Sequence, residues 1–285
     1  MKYLSFLGID ISKRTLFCCL RSNNITLLRT EIDNTTVGIT QFFRKISKLV
    51  DRRYLLVCAE HTGIYGSHLV SYLKKEQIAT WMESGIQIKL SSGLNRGKSD
   101  EVDAYRISDY ASTQLHKLRL YQFPSEAITR LQTLARTRER LLKMKAQLTV
   151  PLKEQATFLD KNTVQVLEAS IKPALTGILR SLKKVEEQMS KIINADQILK
   201  RQFELITSIS GVGQITATKV IIYTQGFTKF TCPKKFACYV GTAPFGDQSG
   251  SSIKTKPKVS SFAHKKIKAL LHLCAMSNLG AKNGN

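Results

Sequence analysis

The sequence predicts an α/β domain, then a helical arm, then a mostly α-helical C-terminal domain. Three observations carry this. Apolar runs of strand length alternate with apolar stripes of helical spacing as far as about residue 115. Phe123-Pro124 then marks a break, beyond which apolar residues recur at helical spacing to about Lys200. From Phe203 the character changes again, to short helical segments, a Gly-Val-Gly turn and a stretch rich in Gly, Ser and Pro. The boundaries that follow are 1–118, 119–202 and 203–285.

Within the first part, Tyr3–Ile9, Thr15–Leu20 and Ile25–Ile32 read as strands joined by short polar turns. Ile39, Phe42, Phe43, Ile46, Leu49 and Val50 form a helical stripe, and Tyr54–Ala59 is a fourth strand. Tyr65–Lys75 is a helix, Ile78–Met82 a fifth strand, and helical segments cover about Ile86–Ser91 and Asp100–Thr113. The order βββαβαβα is that of an RNase H-like fold. In the arm, Ser125–Phe158 carries six basic residues between Arg130 and Lys145, with Pro151 interrupting or kinking it. A second helical stretch, Thr163–Lys200, contains Pro173 and apolar residues at Leu179, Leu182, Val185 and Met189. Their spacing fits an antiparallel pair or coiled coil, serving either as a spacer or as a nucleic-acid or oligomerisation arm. In the last part, LITSISGVGQITATKVI reads as a helix-hairpin-helix-like segment whose turn at Gly211-Val212-Gly213 can offer N–H groups to a phosphate. A helix, a loop and a basic helix bearing Ile267, Leu270, Leu271 and Cys274 complete it.

The 285 residues carry 44 Lys and Arg against 21 Asp and Glu, a formal charge of +23. The excess is uneven: Gly211–Asn285 holds eleven Lys, no Arg and one acid, Asp247. Such a field favours a phosphate backbone. An anionic membrane surface is the competing partner, but there is no long uncharged apolar span and no signal-peptide pattern, so no membrane association is expected. None of the six cysteines forms a CxxC pair, which argues against zinc and for a reducing, cytoplasmic location.

Four acids are the candidate catalytic residues. Asp10 closes the apolar run YLSFLGID and Glu60 closes YLLVCAE. Asp100 and Asp103 sit three apart in KSDEVDA, on one side of a helix. Taken singly, each has an ordinary explanation as a turn, surface or helix-terminal acid. Together they fall where the fold order brings carboxylates into one place, and converging carboxylates repel unless a cation lies between them. Mg²⁺ accepts such hard oxygen ligands, with Mn²⁺ as the alternative, and paired ions of this kind clamp a phosphodiester during cleavage. Lys98 stands beside the tetrad as a phosphate contact, and His61 or Tyr65 in EHTGIY offers another, although His61 serves equally well as a structural histidine. Lys254, Lys256, Lys258, Lys265, Lys266 and Lys268 are the candidate nucleic-acid contacts of the last domain.

GIDISK, EHTGIY, KSDEVDA, SGVGQITA and YVGTAPFGDQSGSS, followed by a basic helix, occur in that order along nearly the whole chain. In them the chain resembles the insertion sequence one-hundred-ten family of DEDD transposases, relatives of the Piv and MooV DNA invertases and bridge-RNA-guided recombinases. The resemblance implies a RuvC-like N-terminal domain, a helical arm and a C-terminal transposase domain with a serine nucleophile. The serine of QSG, Ser249, is the implied nucleophile, forming a phosphoserine link to DNA, with Ser251 and Ser252 its nearby competitors. Asp10, Glu60, Asp100 and Asp103 are the implied Mg²⁺ ligands. Also implied are double-stranded donor and target DNA, a structured guide RNA, and a homo-oligomer, dimer or tetramer, whose protomers share sites. The cations of the last domain are all Lys where relatives often use Arg, so contacts there position phosphates more than they read bases. The alternatives are a RuvC-like junction nuclease that uses water, an RNA-independent invertase and a non-catalytic RNA-binding scaffold.

Overall fold

A computed structural model describes residues 3–91, 93, 99–230, 232–246, 248–249, 253–254 and 257–282. The chain divides into two compact units, Met1–Phe123 and Pro124–Asn285.

The first unit runs β1 (Ser5–Ile11), β2 (Thr15–Ser22), β3 (Ile25–Asp33), α1 (Thr36–Ile46), β4 (Leu55–Glu60), α2 (Ser67–Lys75), β5 (Thr80–Glu83), α3 (Gly85–Ser91) and α4 (Asp100–Thr113). The five strands form one sheet in the order β3-β2-β1-β4-β5. β1, β2 and β3 pair antiparallel as a meander, and β1–β4 and β4–β5 pair parallel. This mixed sheet is consistent with the RNase H-like order read from the sequence.

Alternation along the two central strands explains why helices cover both faces. Leu7, Ile9, Ile11, Leu55, Val57 and Ala59 point to one face, where Ile39, Phe42, Phe43 and Ile46 of α1 and Leu69 and Leu73 of α2 complete a core. Phe6, Leu56, Cys58 and Trp81 point to the other, against Ile107, Tyr110 and Ala111 of α4. β1 and β4 are buried along almost their whole length, as strands covered on both faces must be, and exposure rises only at Asp10 and Glu60.

The second unit begins with α5 (Glu126–Gln155) and α6 (Lys161–Ala195). Arg138 pairs with Glu186 at 2.6 Å, and Ile128 and Leu131 share a core with Met189 and Ile193, so the two helices run antiparallel. Both prolines lie inside helices, Pro151 near the end of α5 and Pro173 within α6. The stretch expected as one helix from Thr163 to Lys200 is divided. α6 ends at Ala195, and α7 (Gln197–Thr207) starts afresh because the Asp196 carboxylate accepts from the N–H groups of Ile198 (3.0 Å) and Leu199 (3.1 Å). α8 (Gln214–Thr224) and α9 (Pro233–Val240) follow. The Gly/Ser/Pro-rich stretch expected as a loop forms two small antiparallel ladders. β6 (Pro244–Phe245) pairs with β9 (Lys258–Val259), and β7 (Gln248–Ser249) pairs with β8 (Ile253–Lys254). α10 (Lys265–Lys282) closes the unit.

One core joins Leu199 and Ile206 of α7, Ala217, Val220 and Ile221 of α8, Val240 of α9 and Ile267 of α10 to the base of the α5–α6 pair. The boundary expected at 202/203 runs through this core. Between α7 and α8, Gly211 has φ +77° and touches α10: a Cβ there would lie 2.6 Å from the Cys274 carbonyl oxygen. Its glycine therefore has a packing reason, independent of any phosphate. Among the described residues no helix is long and apolar enough to cross a membrane.

Candidate metal centre and nucleic-acid surface

Ile9 of β1 is in parallel register with Ala59 of β4, so Asp10 and Glu60 occupy the next equivalent positions on neighbouring strands. Strand alternation puts both on the face that carries Phe6, Gly8 and Cys58, the face covered by α4. The packing of α4 fixes what lies over them. Ser108 Oγ donates to the Phe6 carbonyl at 3.0 Å. Gly8 sits so close beneath the helix that a Cβ there would lie 2.3 Å from the Ala104 carbonyl oxygen. Gly8 lies under both Ala104 and Ser108, because the same Cβ would also lie 2.3 Å from the Ser108 nitrogen. From Gly8, β1 runs on to Asp10 on the face covered by α4, whose first turn carries Asp100 and Asp103.

That turn is held firmly. Ser99 caps it, its hydroxyl accepting from Val102 N–H at 3.3 Å, and the acids of the first turn complement the helix dipole. Arg29 pairs with Glu101 at 3.1 Å and Arg21 with Asp109 at 2.6 Å. The two guanidinium groups lie 5.0 and 4.9 Å from the Tyr105 ring, which ties α4 to β2 and β3.

The side chains at this end of the sheet are differently engaged. Asp103 pairs with Arg106 at 3.0 Å, and Asp100 is exposed. Among the described residues, no three or more His, Cys, Asp or Glu side chains are arranged to hold a metal ion. Asp10, Glu60, Asp100 and Asp103 would offer only carboxylate oxygens, the donors that suit a hard divalent cation. The Glu60 carboxylate also lies in a cradle that a side chain at Gly85 would fill: a Cβ there would be 2.6 Å from Oε2.

Two further residues belong to this end of the sheet. Glu83 is the register partner of Glu60. Its carboxylate accepts from Ser84 N–H at 2.8 Å and from the Tyr110 hydroxyl at 3.3 Å. Burial, then the charge of Glu83, push the Tyr110 hydroxyl up to about 12, so it stays a donor. Glu83 was within reach of the rule that found Asp10 and Glu60, an acid closing an apolar strand, had the fifth strand been extended one residue beyond Met82. Arg106, three residues beyond Asp103, carried the helical spacing of an ion pair. His61 packs its ring 5.7 Å from Tyr121, and Tyr65 is 45% exposed, its carbonyl accepting from Asn34.

In the second unit the backbone of Ser249 lies in β7, paired with Ile253. Its side chain, like that of Lys254, and the whole of Lys98, Lys256, Ser251 and Ser252 lie outside the described residues. Lys258 and Lys265 are exposed and Lys268 half-buried. Lys265 and Lys268 line a cavity of about 470 Å³ with Thr242, Leu271 and His272. Lys266 is committed to Glu139, at 2.8 Å, which Lys219 also contacts at 2.9 Å. Burial alone would raise the Glu139 carboxyl, but hydrogen bonds and charge from Lys266 and Lys219 override it and hold it at about 2. His264, just before α10, stacks on Tyr239 and packs against the tilted ring of Tyr223, and burial together with the lysines around it pulls its pKa down.

Two family comparisons complete the picture. Residues 7–160 match the DEDD model of the IS110 type, described as Transposase, and this match alone spans more than half of the chain. Residues 203–285 match the model described as Transposase IS116/IS110/IS902 family. No curated protein matches the chain. The two matches occur in chain order, one over the sheet that carries the acids and the other over the lysine-rich helices. The chain therefore belongs to the IS110 family of transposases, enzymes that cut and rejoin DNA.

Proposed function

We propose that the chain is a divalent-metal-dependent, RNA-guided DNA recombinase that works through a phosphoserine intermediate. The observation that carries the proposal is the placement of Asp10 and Glu60 at adjoining strand ends, on the sheet face that α4 covers. In this reading the four carboxylates hold Mg²⁺, or Mn²⁺ in its place. Bound there, the ions would neutralise charge on the scissile phosphate and lower the pKa of an attacking hydroxyl.

The chain's own residues divide the remaining work. The RuvC-like domain carries the carboxylates, and the ion pairs of α4 tie that helix to β2 and β3. Ser249 Oγ attacks phosphorus, and the P–O bond to one DNA strand breaks as the Oγ–P bond forms. The serine proton leaves, and the departing strand oxygen takes up a proton to become a hydroxyl. A strand hydroxyl later attacks the phosphoserine, which rejoins DNA and restores the serine. Conserving the phosphodiester energy in this way distinguishes strand exchange from hydrolysis. The lysine-rich helices hold phosphates, and sequence choice passes to base pairing with a structured RNA. Protomers of a tetramer share the catalytic sites, with Ser249 and the tetrad coming from different copies.

Denaturing gels of protein incubated with donor DNA, RNA and Mg²⁺ test this. Wild type is expected to form a covalent protein–DNA adduct, and Ser249→Ala to form none while binding nucleic acid normally. An adduct of normal yield from Ser249→Ala moves the nucleophile to another residue. Cleavage with no adduct from the wild type favours a water-using junction nuclease. Recombination of full yield without RNA favours an invertase-like enzyme, and binding with no metal-dependent cleavage favours a scaffold.

A further inference from the structure

We propose that Gly85, which lies outside the tetrad, is a positioning residue for the metal centre, because the lack of a side chain there gives the Glu60 carboxylate its place. The proposal rests on the reading of Glu60 as a metal ligand. Gly85 opens α3, two residues beyond the end of β5, and β5 places Glu83 beside Glu60. Glu83 has both carboxylate oxygens engaged, one by Ser84 N–H and the other by the Tyr110 hydroxyl. The neighbour on that flank is thus anchored, and the room for Glu60 lies over Gly85.

The contacts at Gly85 are unusually selective. A Cβ there would lie 2.6 Å from Glu60 Oε2 and 2.9 Å from both Cδ and Oε1. The three nearest atoms all belong to the carboxylate itself, the free-swinging end of a long side chain. Relief of the clash therefore moves the carboxylate and leaves the backbone where it is. Gly85 is also absent from the glycines of positive φ, so an alanine fits its backbone without strain and narrows the freedom of the unfolded chain. Gly8 is the contrast: the atoms a Cβ would meet there are the backbone of α4. Substitution at Gly85 is expected to separate two properties that usually fail together, keeping the fold while spoiling the ligand.

Calorimetric titration of Mn²⁺ into the full-length, metal-stripped protein tests this, alongside thermal melting in chelator. Glu60→Gln is expected to weaken Mn²⁺ binding. Gly85→Ala is expected to weaken it roughly 10- to 100-fold, the usual effect of disturbing the surroundings of a ligand. Its melting temperature in chelator should equal or exceed that of wild type. Glu60→Asp supplies the rescue, because a shorter side chain withdraws from the added methyl. Gly85→Ala combined with Glu60→Asp should bind Mn²⁺ no worse than Glu60→Asp alone. Wild-type affinity in Gly85→Ala, with Glu60→Gln weakened, overturns the role of Gly85. Wild-type affinity in Glu60→Gln overturns instead the reading of Glu60 on which it rests. A lowered melting temperature in Gly85→Ala, or equal Gly85→Ala losses beside Glu and beside Asp at position 60, assigns the residue to the fold alone and also overturns the proposal.

Discussion

The two units handle charge in opposite ways. In the N-terminal unit, arginines fix acids at defined places: Arg21 with Asp109, Arg29 with Glu101 and Arg106 with Asp103, all on α4. A rigid fork matched to a carboxylate gives direction as well as attraction. In the C-terminal unit, the stretch from Gly211 onward carries eleven lysines and the single acid Asp247. Lys219 and Lys266 both pair with Glu139 of α5. The two devices suit different tasks: paired guanidinium groups set a helix in place, whereas a phosphate backbone needs positive potential along its length.

That contrast can be broken from its strongest side first. Asp10→Asn removes a charged donor from the fixed end, and metal-assisted cleavage depends on several kcal/mol of charge stabilisation. Cleavage is expected to fall on the order of 10³-fold with DNA binding retained, measured by single-turnover strand cleavage and by filter binding. Gly8→Ala comes next. The added methyl meets the backbone of Ala104 and Ser108, so α4 must lift. A loss of about 1–3 kcal/mol is expected in urea unfolding of the α/β unit.

Glu139 provides the pH test. Its carboxyl is held at about 2 in the folded protein against an ordinary value of 4.5. A depressed folded value means the contribution to stability is complete above about pH 4.5 and is lost as pH falls from there through about 2. Glu139→Gln is expected to lower stability at neutral pH by about 1 kcal/mol, the scale of a partly exposed ion pair. It should also flatten the acid limb, as followed by denaturant midpoints across pH. The smallest effect belongs to the diffuse field. Replacing Lys265 and Lys268 by Ala should reduce the slope of log affinity against log salt by about 1 for each phosphate left without its lysine, uniformly across DNA sequences.

The sheet was legible because its strands are continuous apolar runs with alternating faces, and the positions of Asp10 and Glu60 were legible because they close two of those runs. α4 was placed over its full range, since Ser99 before Asp100 is a capping signal. The break at Asp196 was present as a capping residue but hidden among apolar residues whose period continues on both sides. The ladders β6–β9 and β7–β8 are two residues long and exist only through pairing, so no run could announce them. Gly85 was invisible for a different reason, because its importance depends on a neighbour twenty-five positions away in sequence, Glu60. Ser249 was reached through resemblance alone, since a serine in a Gly/Ser-rich stretch carries no chemical signature of its own.

The most direct test of the carboxylate centre is a crystal of the protein with Mn²⁺, analysed by anomalous scattering. A peak bounded by Asp10, Glu60 and at least one of Asp100 and Asp103 is expected, with Asp103 turned away from Arg106. Mn²⁺ bound at another place, in a protein that still cleaves DNA after Asp10→Asn, would contradict it.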